Sequence, residues 1–301
     1  MDSRSIHQQV TDAIVAMLER GTLPWRRTWK TQGGTTNPVP ANLITGRAYQ
    51  GVNRVILWTS ALAVGYPTHG WATFKQVHDA GGHVRKGERG TQVVLYRPVV
   101  TREPREPGQS DEQRQEEERE YVAHVLRVFT VFNAAQCEGL TTAMAPAAPP
   151  VNVVPAAELF IASVGAKVEH GGDRACYVPN ADLIQLPSFA AFTSPEAYYA
   201  TSLHEHVHWT GHCSRLNRLS QPAPYGSEQY AAEELVAELG AAFLCADLRI
   251  QGDLEHHASY LQEWLTILRQ DKKAIFKAAA EANRAGDFLH ARQPTCLEQA
   301  A

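Results

Sequence analysis

Residues 204–208 form the stretch of this sequence with the clearest chemistry. It reads His-Glu-His-Val-His and matches H-E-x-x-H, with His204, Glu205 and His208 at the fixed positions. Residues four apart on a helix share one face, so both imidazoles can bind one zinc ion. Glu205 is then placed to act as general base toward a water that the metal acidifies. Because the motif is short, a helix that carries it by chance is the competing interpretation.

The flanking residues favour a helix around this motif. Residues 193–196 read Thr-Ser-Pro-Glu, which combines capping side chains with a proline and an acidic residue in the first turn. Residues 197–209 contain no glycine or proline, and Gly211 is a typical helix stop. Upstream, residues 175–178 and 182–186 predict two strands joined by a turn. An edge strand beside a zinc-binding helix can align a peptide by strand addition.

A catalytic zinc needs a third protein ligand, and the sequence predicts a carboxylate for it. Gly211 suits a metzincin, but Ser214 stands where that class places its third histidine. Glu234 and Glu238 lie four residues apart in an apolar helix pattern, the E-x-x-x-D/E arrangement of gluzincin-type sites. Glu234 is therefore the predicted ligand and Glu238 the carboxylate that orients a ligand histidine from behind. Glu233 remains the alternative ligand, and acidic residues that merely favour a helix N-terminus remain the non-functional interpretation.

Composition predicts a cytoplasmic protein of two domains. The chain has 301 residues, of which 44% are hydrophobic, and no apolar run approaches the length that spans a bilayer. The N-terminus lacks a signal-peptide core, and the five cysteines are scattered without a C-x-x-C pair. Reduced thiols in the cytoplasm are the simplest interpretation.

The net charge of −4 hides an uneven distribution of charge. Residues 1–100 contain twelve Lys and Arg against five Asp and Glu, a formal +7, so the remainder carries −11. Aromatic residues alternate with these bases, a combination that binds single-stranded nucleic acid by base stacking and phosphate neutralisation. The competing interpretation is that the aromatic rings belong to the core of a small α+β domain. The predicted DNA-binding residues are Trp25, Arg26, Arg47, Tyr49, Asn53, Trp71, Lys75, Arg85 and Lys86.

The predicted fold class is α+β with two domains. A small α+β nucleic-acid-binding domain occupies residues 1–140, and a mostly helical zincin-like metallopeptidase domain with a small sheet occupies residues 156–301. Periodicity and turn residues predict helices at 6–18, 53–62 and 71–77 and strands at 91–97 and 122–132. A charged, flexible loop is expected at 102–120 and an Ala/Pro-rich linker at 141–155.

Together these segments resemble the ArdC-type antirestriction family of plasmids and mobile elements. The similarity covers most of the chain except the linkers and the C-terminus. The segments that carry it are residues 24–29, 42–53, 71–76, 82–87, 131–133, 198–212 and 233–238. The resemblance implies a single-strand DNA-binding domain followed by a zincin-like metallopeptidase domain, with His204, His208 and Glu234 as ligands and Glu205 as catalytic acid/base. His206 departs from the family pattern.

The sequence therefore predicts a protein that binds single-stranded DNA and carries a Zn²⁺ site, with another divalent metal as the alternative. Its expected role is to protect incoming mobile-element DNA from host restriction, with a restriction component as the candidate protein substrate and no membrane partner. The rival hypothesis is a non-enzymatic protein that masks single-stranded DNA and uses the metal only to stabilise its fold. Glu205 favours the enzyme, because a purely structural site needs no base beside its first ligand.

Overall fold

The computed structural model describes residues 5–25, 38–102, 120–140, 153–219, 223–224, 226–250 and 260–294. It is an α+β protein in which an N-terminal part with a four-stranded sheet precedes a mostly helical part with a three-stranded sheet. Among the described residues, no helix is both long enough and apolar enough to cross a membrane.

Three helices, a mixed four-stranded sheet and a separate strand pair form the described N-terminal part. Helix α1 (Ile6–Leu18) begins at Ser5, whose hydroxyl accepts from the Gln8 backbone N–H, and α2 covers Val52–Val64. The sheet has the order β1-β2-β5-β4, with β1 at Ala41–Asn42, β2 at Gly70–Thr73, β4 at Thr91–Arg102 and β5 at Glu120–Asn133. A separate pair joins β3 (His83–Val84) to β6 (Cys137–Glu138).

The prediction of one helix over residues 71–77 is wrong in its first half. Trp71 lies in β2, where it pairs with Asn133 of β5, and helix α3 covers only Phe74–Asp79. Thr73 marks the change, because its hydroxyl accepts from the Gln76 backbone and the Gln76 side chain bonds back to Thr73. This capping box starts a helix where periodicity alone suggested that one was already under way.

Strands β4 and β5 are longer than the sequence predicted. They pair in register from Thr91↔Val131 to Arg102↔Glu120 and form an extended antiparallel hairpin. The predicted charged loop covered residues 102–120, but Arg102 belongs to β4 and Glu120 to β5. The rest of that loop, residues 103–119, lies outside the described residues. The predicted linker is shorter at its C-terminal end, because α4 (Val153–Val164) already begins at residue 153, and residues 141–152 lie outside the described part.

The C-terminal part places a small sheet against a set of helices. Its strands are β7 (Lys167–His170), β8 (Cys176–Val178) and β9 (Leu183–Leu186), in the order β7-β9-β8. The helices are α5 (Pro195–Thr210), α6 (Glu228–Leu248), α7 (Leu261–Gln270) and α8 (Ala274–His290). The two strands and the two helices predicted around the metal motif are all present, within a few residues of their predicted ends.

One hydrophobic core runs through both parts. Ile14 and Leu18 of α1 and Val55 of α2 belong to the same buried cluster as Leu239 of α6 and Ile275 of α8. Polar contacts cross the same boundary, and the N-terminal residues that bond to C-terminal ones are Thr11, Glu19, Trp25, Gly51 and Arg54. The boundary between the two domains in sequence is therefore not a gap in the packing.

Candidate metal centre

The metal motif lies on α5, which begins as its sequence predicts. Ser194 caps the helix through a bond from the Ala197 backbone N–H, and Pro195 occupies the first turn. Helix α6 packs directly across α5 at Gly240, where a Cβ atom would lie 2.8 Å from a methyl group of Val207. Glycine costs about 1 kcal/mol in a helix interior relative to alanine, and here it allows the close approach of the two helices. This approach brings the carboxylates of α6 to the histidines of α5.

His204, His208 and Glu234 converge on one point. The Nε2 atoms of the two histidines are 3.2 Å apart, and they lie 3.4 and 3.6 Å from the Glu234 carboxylate oxygens. One potential ligand atom from each residue lies within 4.8 Å of the others, and the three side chains are almost entirely buried. Two imidazole nitrogens and a carboxylate facing each other at this spacing suit a divalent cation with an open coordination position.

Glu233 supports the site from behind His208. Its carboxylate lies 3.3 Å from Nδ1 of His208, the ring nitrogen that faces away from Glu234. Arg218 holds this carboxylate through its guanidinium nitrogens at 3.0 and 3.1 Å and also donates to the Val207 carbonyl. With Nδ1–H donated to Glu233, Nε2 of His208 presents its lone pair to the cation. The contacts of Glu233 therefore correspond to those of an orienting carboxylate, which does not favour Glu233 as the third ligand.

The charges of this cluster reinforce one another. Burial alone lowers the pKa of His208, but the Glu233 and Glu234 carboxylates outweigh burial and raise that pKa well above its ordinary value. Burial alone raises the pKa of Glu234, and the two histidines reverse this effect and lower it strongly. The pKa of Glu233 is lowered in the same way by His208 and Arg218. Both carboxylates therefore stay ionised near neutral pH, as cation binding requires.

Glu238, the predicted orienting residue, lies fully buried one helical turn after Glu234. One of its carboxylate oxygens accepts from the indole N–H of Trp25 at 3.2 Å. Its role toward a ligand histidine remains a prediction.

His206, at the first variable position of the motif, faces the core. It is 1% exposed and bonds the Ser202 carbonyl through Nδ1, and burial lowers its pKa to about 4.

Glu205 and two tyrosines border the metal centre. Glu205 is buried on α5, and its charge contributes, after burial, to the raised pKa of Cys176 on β8. Strand β8 is at one edge of its sheet as far as the chain is described, and it packs against α5, the helix that carries Glu205. Tyr230 hydrogen-bonds the Glu234 carboxylate, and its hydroxyl lies 3.3 Å from that of Tyr260. Burial, then Tyr260 and Glu234, raise the pKa of Tyr230, so this phenol keeps its proton near neutral pH.

The predicted DNA-binding residues do not all lie on the surface. Trp25 and Trp71 are buried, and they are corrected here to core residues whose rings no base can reach. Asn53 is also corrected, because its side-chain amide bonds both the N–H and the carbonyl of Val94. Tyr49 is half-buried. The exposed members of the set are Arg47, Lys75, Arg85 and Lys86, and Arg26 lies outside the described residues.

Sequence reasoning missed Arg218, Tyr230 and Phe74. Arg218 lies in a turn ten residues beyond His208, and no local pattern marks it. Tyr230 precedes Glu234 by four residues, so the helical spacing that paired Glu234 with Glu238 could have identified it. Phe74 is 60% exposed at the first position of α3, which the incorrect helix boundary concealed.

Fold and site define a two-domain protein with a zincin-like metal centre, and comparisons agree with this class. Residues 155–281 match the zincin-like metallopeptidase family MPTase-PolyVal, and residues 4–132 match the N-terminal domain of anti-restriction factor ArdC. Crystal structures of antirestriction ArdC protein from plasmid R388, one metal-free and one Mn(II)-bound, superpose with a TM-score of 0.78 each. They are 38% and 37% identical to this chain, covering 96% and 97% of it and 98% and 100% of the R388 chains. The chain belongs to the ArdC antirestriction family.

Two kinds of curated relative extend this picture. The uncharacterized protein y4eC of Sinorhizobium fredii is 39% identical over 289 residues, which cover 96% of this chain and 92% of that protein. Two Escherichia coli proteins named DNA primase TraC are 37% and 36% identical. The aligned region is only 28% and 20% of their length, so it forms one segment of those larger proteins.

Proposed function

We propose that this antirestriction-family protein acts in the cytoplasm as a metal-dependent peptidase that also binds single-stranded DNA. In this way it protects incoming mobile-element DNA, with a restriction component as the protein substrate. The observation that carries the proposal is the buried cluster of His204, His208 and Glu234 with Glu205 one residue from a ligand. A cation that only stabilised the fold would require no such base.

The proposed metal is Zn²⁺, held by His204, His208 and Glu234. Two imidazoles and one carboxylate are the ligand set of several catalytic zinc sites. A related protein has been crystallised with Mn(II), and the same nitrogen and oxygen donors accept either ion. When bound, the ion supplies Lewis acidity toward a carbonyl oxygen and makes water a better nucleophile.

The chain's own residues supply proton transfer and alignment. Glu205 takes a proton from the attacking water and returns it to the leaving amine nitrogen, so no net proton is lost. The backbone of β8 pairs with an extended peptide and presents its carbonyl to the site. Tyr260, whose hydroxyl lies 3.3 Å from that of Tyr230, donates a hydrogen bond to the developing oxyanion.

The alternative function, masking of single-stranded DNA without chemistry, is favoured by one observation. Chains named DNA primase contain a segment similar to this whole protein, and a primase works on single-stranded templates. A module shared with such proteins would hold single strands, with the metal stabilising its fold. Both functions can belong to one molecule, and they differ in their dependence on Glu205.

Substitution of Glu205 by glutamine tests the proposal, because it keeps the size of the side chain and removes the base. We expect Glu205→Gln to retain the metal, the fold and DNA binding. Peptide hydrolysis should fall by about 10²- to 10⁴-fold, and protection of conjugated DNA in restricting cells should be lost. Glu196→Gln, on the first turn of the same helix, is the matched control. Full protection by Glu205→Gln with its metal retained would favour masking instead.

A further inference from the structure

We propose that single-stranded DNA stacks on the Phe74–Phe132 ring pair and that the turn Arg85–Arg89 binds its phosphates. This inference rests on the proposed DNA-binding function and identifies the surface that carries it. It replaces the tryptophans that the sequence suggested, since these are buried.

Few aromatic rings of the N-terminal part are available to a base. Among the described aromatic residues of this part Phe74 is the most exposed, and its ring packs edge-on against Phe132 at a centroid distance of 6.4 Å. Tyr96 is exposed, but its hydroxyl bonds His7 on α1 at 3.1 Å. Phe129 is exposed too, yet it pairs with the buried Val93. Phe132 lies three residues after Phe129 on β5 and therefore points to the opposite face of the sheet, because alternate residues of a strand face opposite sides.

A basic turn is fixed beside this ring pair. Gly90 follows the turn immediately, and a Cβ atom at Gly90 would lie 3.1 Å from Cε1 of Phe132. Gln136 anchors the turn: its side-chain amide donates to the Glu88 carboxylate and to the Arg89 carbonyl, and its own carbonyl accepts from the Arg85 N–H. The turn is therefore positioned before any ligand arrives, so less conformational entropy is lost on binding.

The cations of this turn are only partly neutralised. Arg85 pairs with Glu88 at 2.6 Å. Lys86 and Arg89 are exposed, and no carboxylate lies within ion-pair distance of either in the described part of the chain. Gly87, with φ of +88°, lies between them in a backbone conformation that a side chain would strain. Two exposed cations in a turn that adjoins the Phe74–Phe132 pair complement an anionic ligand that also has flat apolar faces.

Further cations lie close to Phe74 in sequence or in contacts. Lys75 follows Phe74 and is highly exposed, with only an i,i+4 surface pair to Asp79. The side chain of Asn42 bonds Gln76 of α3 at 3.1 Å and holds the loop that carries the exposed Arg47 against this helix. These side chains add positive charge near α3 to that of the basic turn. Single strands fit better than duplex or acidic peptide, because only unpaired bases present free faces for stacking.

The test uses the full-length chain and a fluorescein-labelled oligothymidylate of about 20 nucleotides, a length that exceeds typical site sizes for such folds. Anisotropy titrations at several salt concentrations give both affinity and salt slope. Phe74→Ala should bind roughly 5- to 100-fold more weakly with an unchanged slope. Lys86→Ala/Arg89→Ala should flatten the slope by about 0.7 for each phosphate that the variant no longer neutralises. The matched controls are Phe189→Ala and Lys167→Ala, an exposed aromatic and an exposed lysine of the C-terminal part.

Each outcome separates this surface from the function on which it rests. If the wild type binds no oligothymidylate, the DNA-binding function itself fails. If the wild type binds and both the Phe74 and the turn variants bind equally well with folded melting curves, the function stands and this surface is wrong. Equal binding of a duplex or of an acidic peptide, insensitive to Phe74→Ala, would also overturn the stacking assignment. Weaker binding confined to the two surface variants supports it.

Discussion

The Glu233 carboxylate lies on the side of the His208 ring that faces away from Glu234, so it would fix the nitrogen that His208 presents to a cation. The distances of 3.3 Å from Glu233 to Nδ1 and of 3.6 Å from Glu234 to Nε2 assign the two neighbouring acids to different sides of one ring. Sequence spacing predicted His204, His208 and Glu234 as a set, because each pairing depends only on helical periodicity. The sequence favoured Glu234 through its spacing to Glu238 but kept Glu233 as the alternative, because the choice depends on how α6 is rotated against α5 and on where the chain places Arg218.

Glu233→Gln is predicted to weaken the metal site without abolishing it. The amide can still accept from His208 but lacks the charge that raises the basicity of the ring. Removal of such an orienting partner costs about 10- to 100-fold in metal affinity. Competition with a fluorescent zinc chelator measures this change. A melting curve checks that the turn around Arg218 stays folded when Arg218 loses its charged partner. Glu228→Gln, exposed on the same helix, should match the wild type. Complete absence of metal from Glu233→Gln with retention in Glu234→Gln would reverse the two roles.

At the scale of elements, the sequence predicted the long helices well and the sheets less well. Helices α1, α5 and α6 have local capping residues and apolar repeats, so their ends could be predicted to within a few residues. The strand at Trp71 could not, because its pairing with Asn133 lies more than sixty residues away in sequence. The edge strand β8 is held in place by a similar distant contact. Arg215 stacks on Trp209 near the end of α5 and forms an ion pair with Asp182, which ends the turn after β8.

Asp182→Asn is predicted to destabilise the protein near neutral pH and much less in acid. Hydrogen bonds from Arg215 lower the pKa of Asp182 to about 2, below the value of about 4 that it has in an unfolded chain. A carboxyl whose pKa is lowered by folding adds stability above its unfolded pKa and loses it as pH falls through the folded pKa. The expected destabilisation is on the order of 1 kcal/mol at neutral pH, because the Asp182 side chain is 42% exposed and partly screened.

Denaturant unfolding of the wild type and Asp182→Asn between about pH 7 and pH 2 measures this dependence. Asparagine suits the comparison, because residue 182 has a φ of +47°, a conformation that asparagine tolerates well. The difference in unfolding free energy should stay constant above about pH 5 and close as pH falls toward 2. A pH-independent difference would assign the destabilisation to the turn conformation and not to the ion pair with Arg215.

At the scale of the whole molecule, the N-terminal part completes the core of the metal-binding part. The indole N–H of Trp25 donates to buried Glu238, and its ring packs edge-on against Trp264 of α7 at 6.1 Å. Arg54 of α2 pairs with Asp247 near the end of α6 at 3.1 Å. These contacts attach the proposed DNA-binding part to the helix that carries Glu234. Sequence alone could not predict this, because a tryptophan between basic residues resembles a stacking platform as closely as it resembles a core residue.

Trp25→Phe is therefore predicted to weaken metal binding from a distance. Phenylalanine keeps the buried ring but removes the donor to Glu238, and a buried carboxylate that loses a hydrogen bond costs about 1–3 kcal/mol. Glu238 lies one turn from Glu234 on the same face of α6, so the substitution should lower both the melting temperature and the metal affinity. Trp58→Phe is the matched control, because its indole N–H donates to the Pro38 carbonyl at 2.9 Å, away from the α6 carboxylates. Calorimetry with and without added Zn²⁺ separates the loss of stability from the loss of metal affinity. Trp58→Phe should melt at a lower temperature, but Zn²⁺ should raise its melting temperature as much as in the wild type. In Trp25→Phe, Zn²⁺ should raise the melting temperature less. Equal gains in both variants would show that the two parts share a core without sharing the metal site.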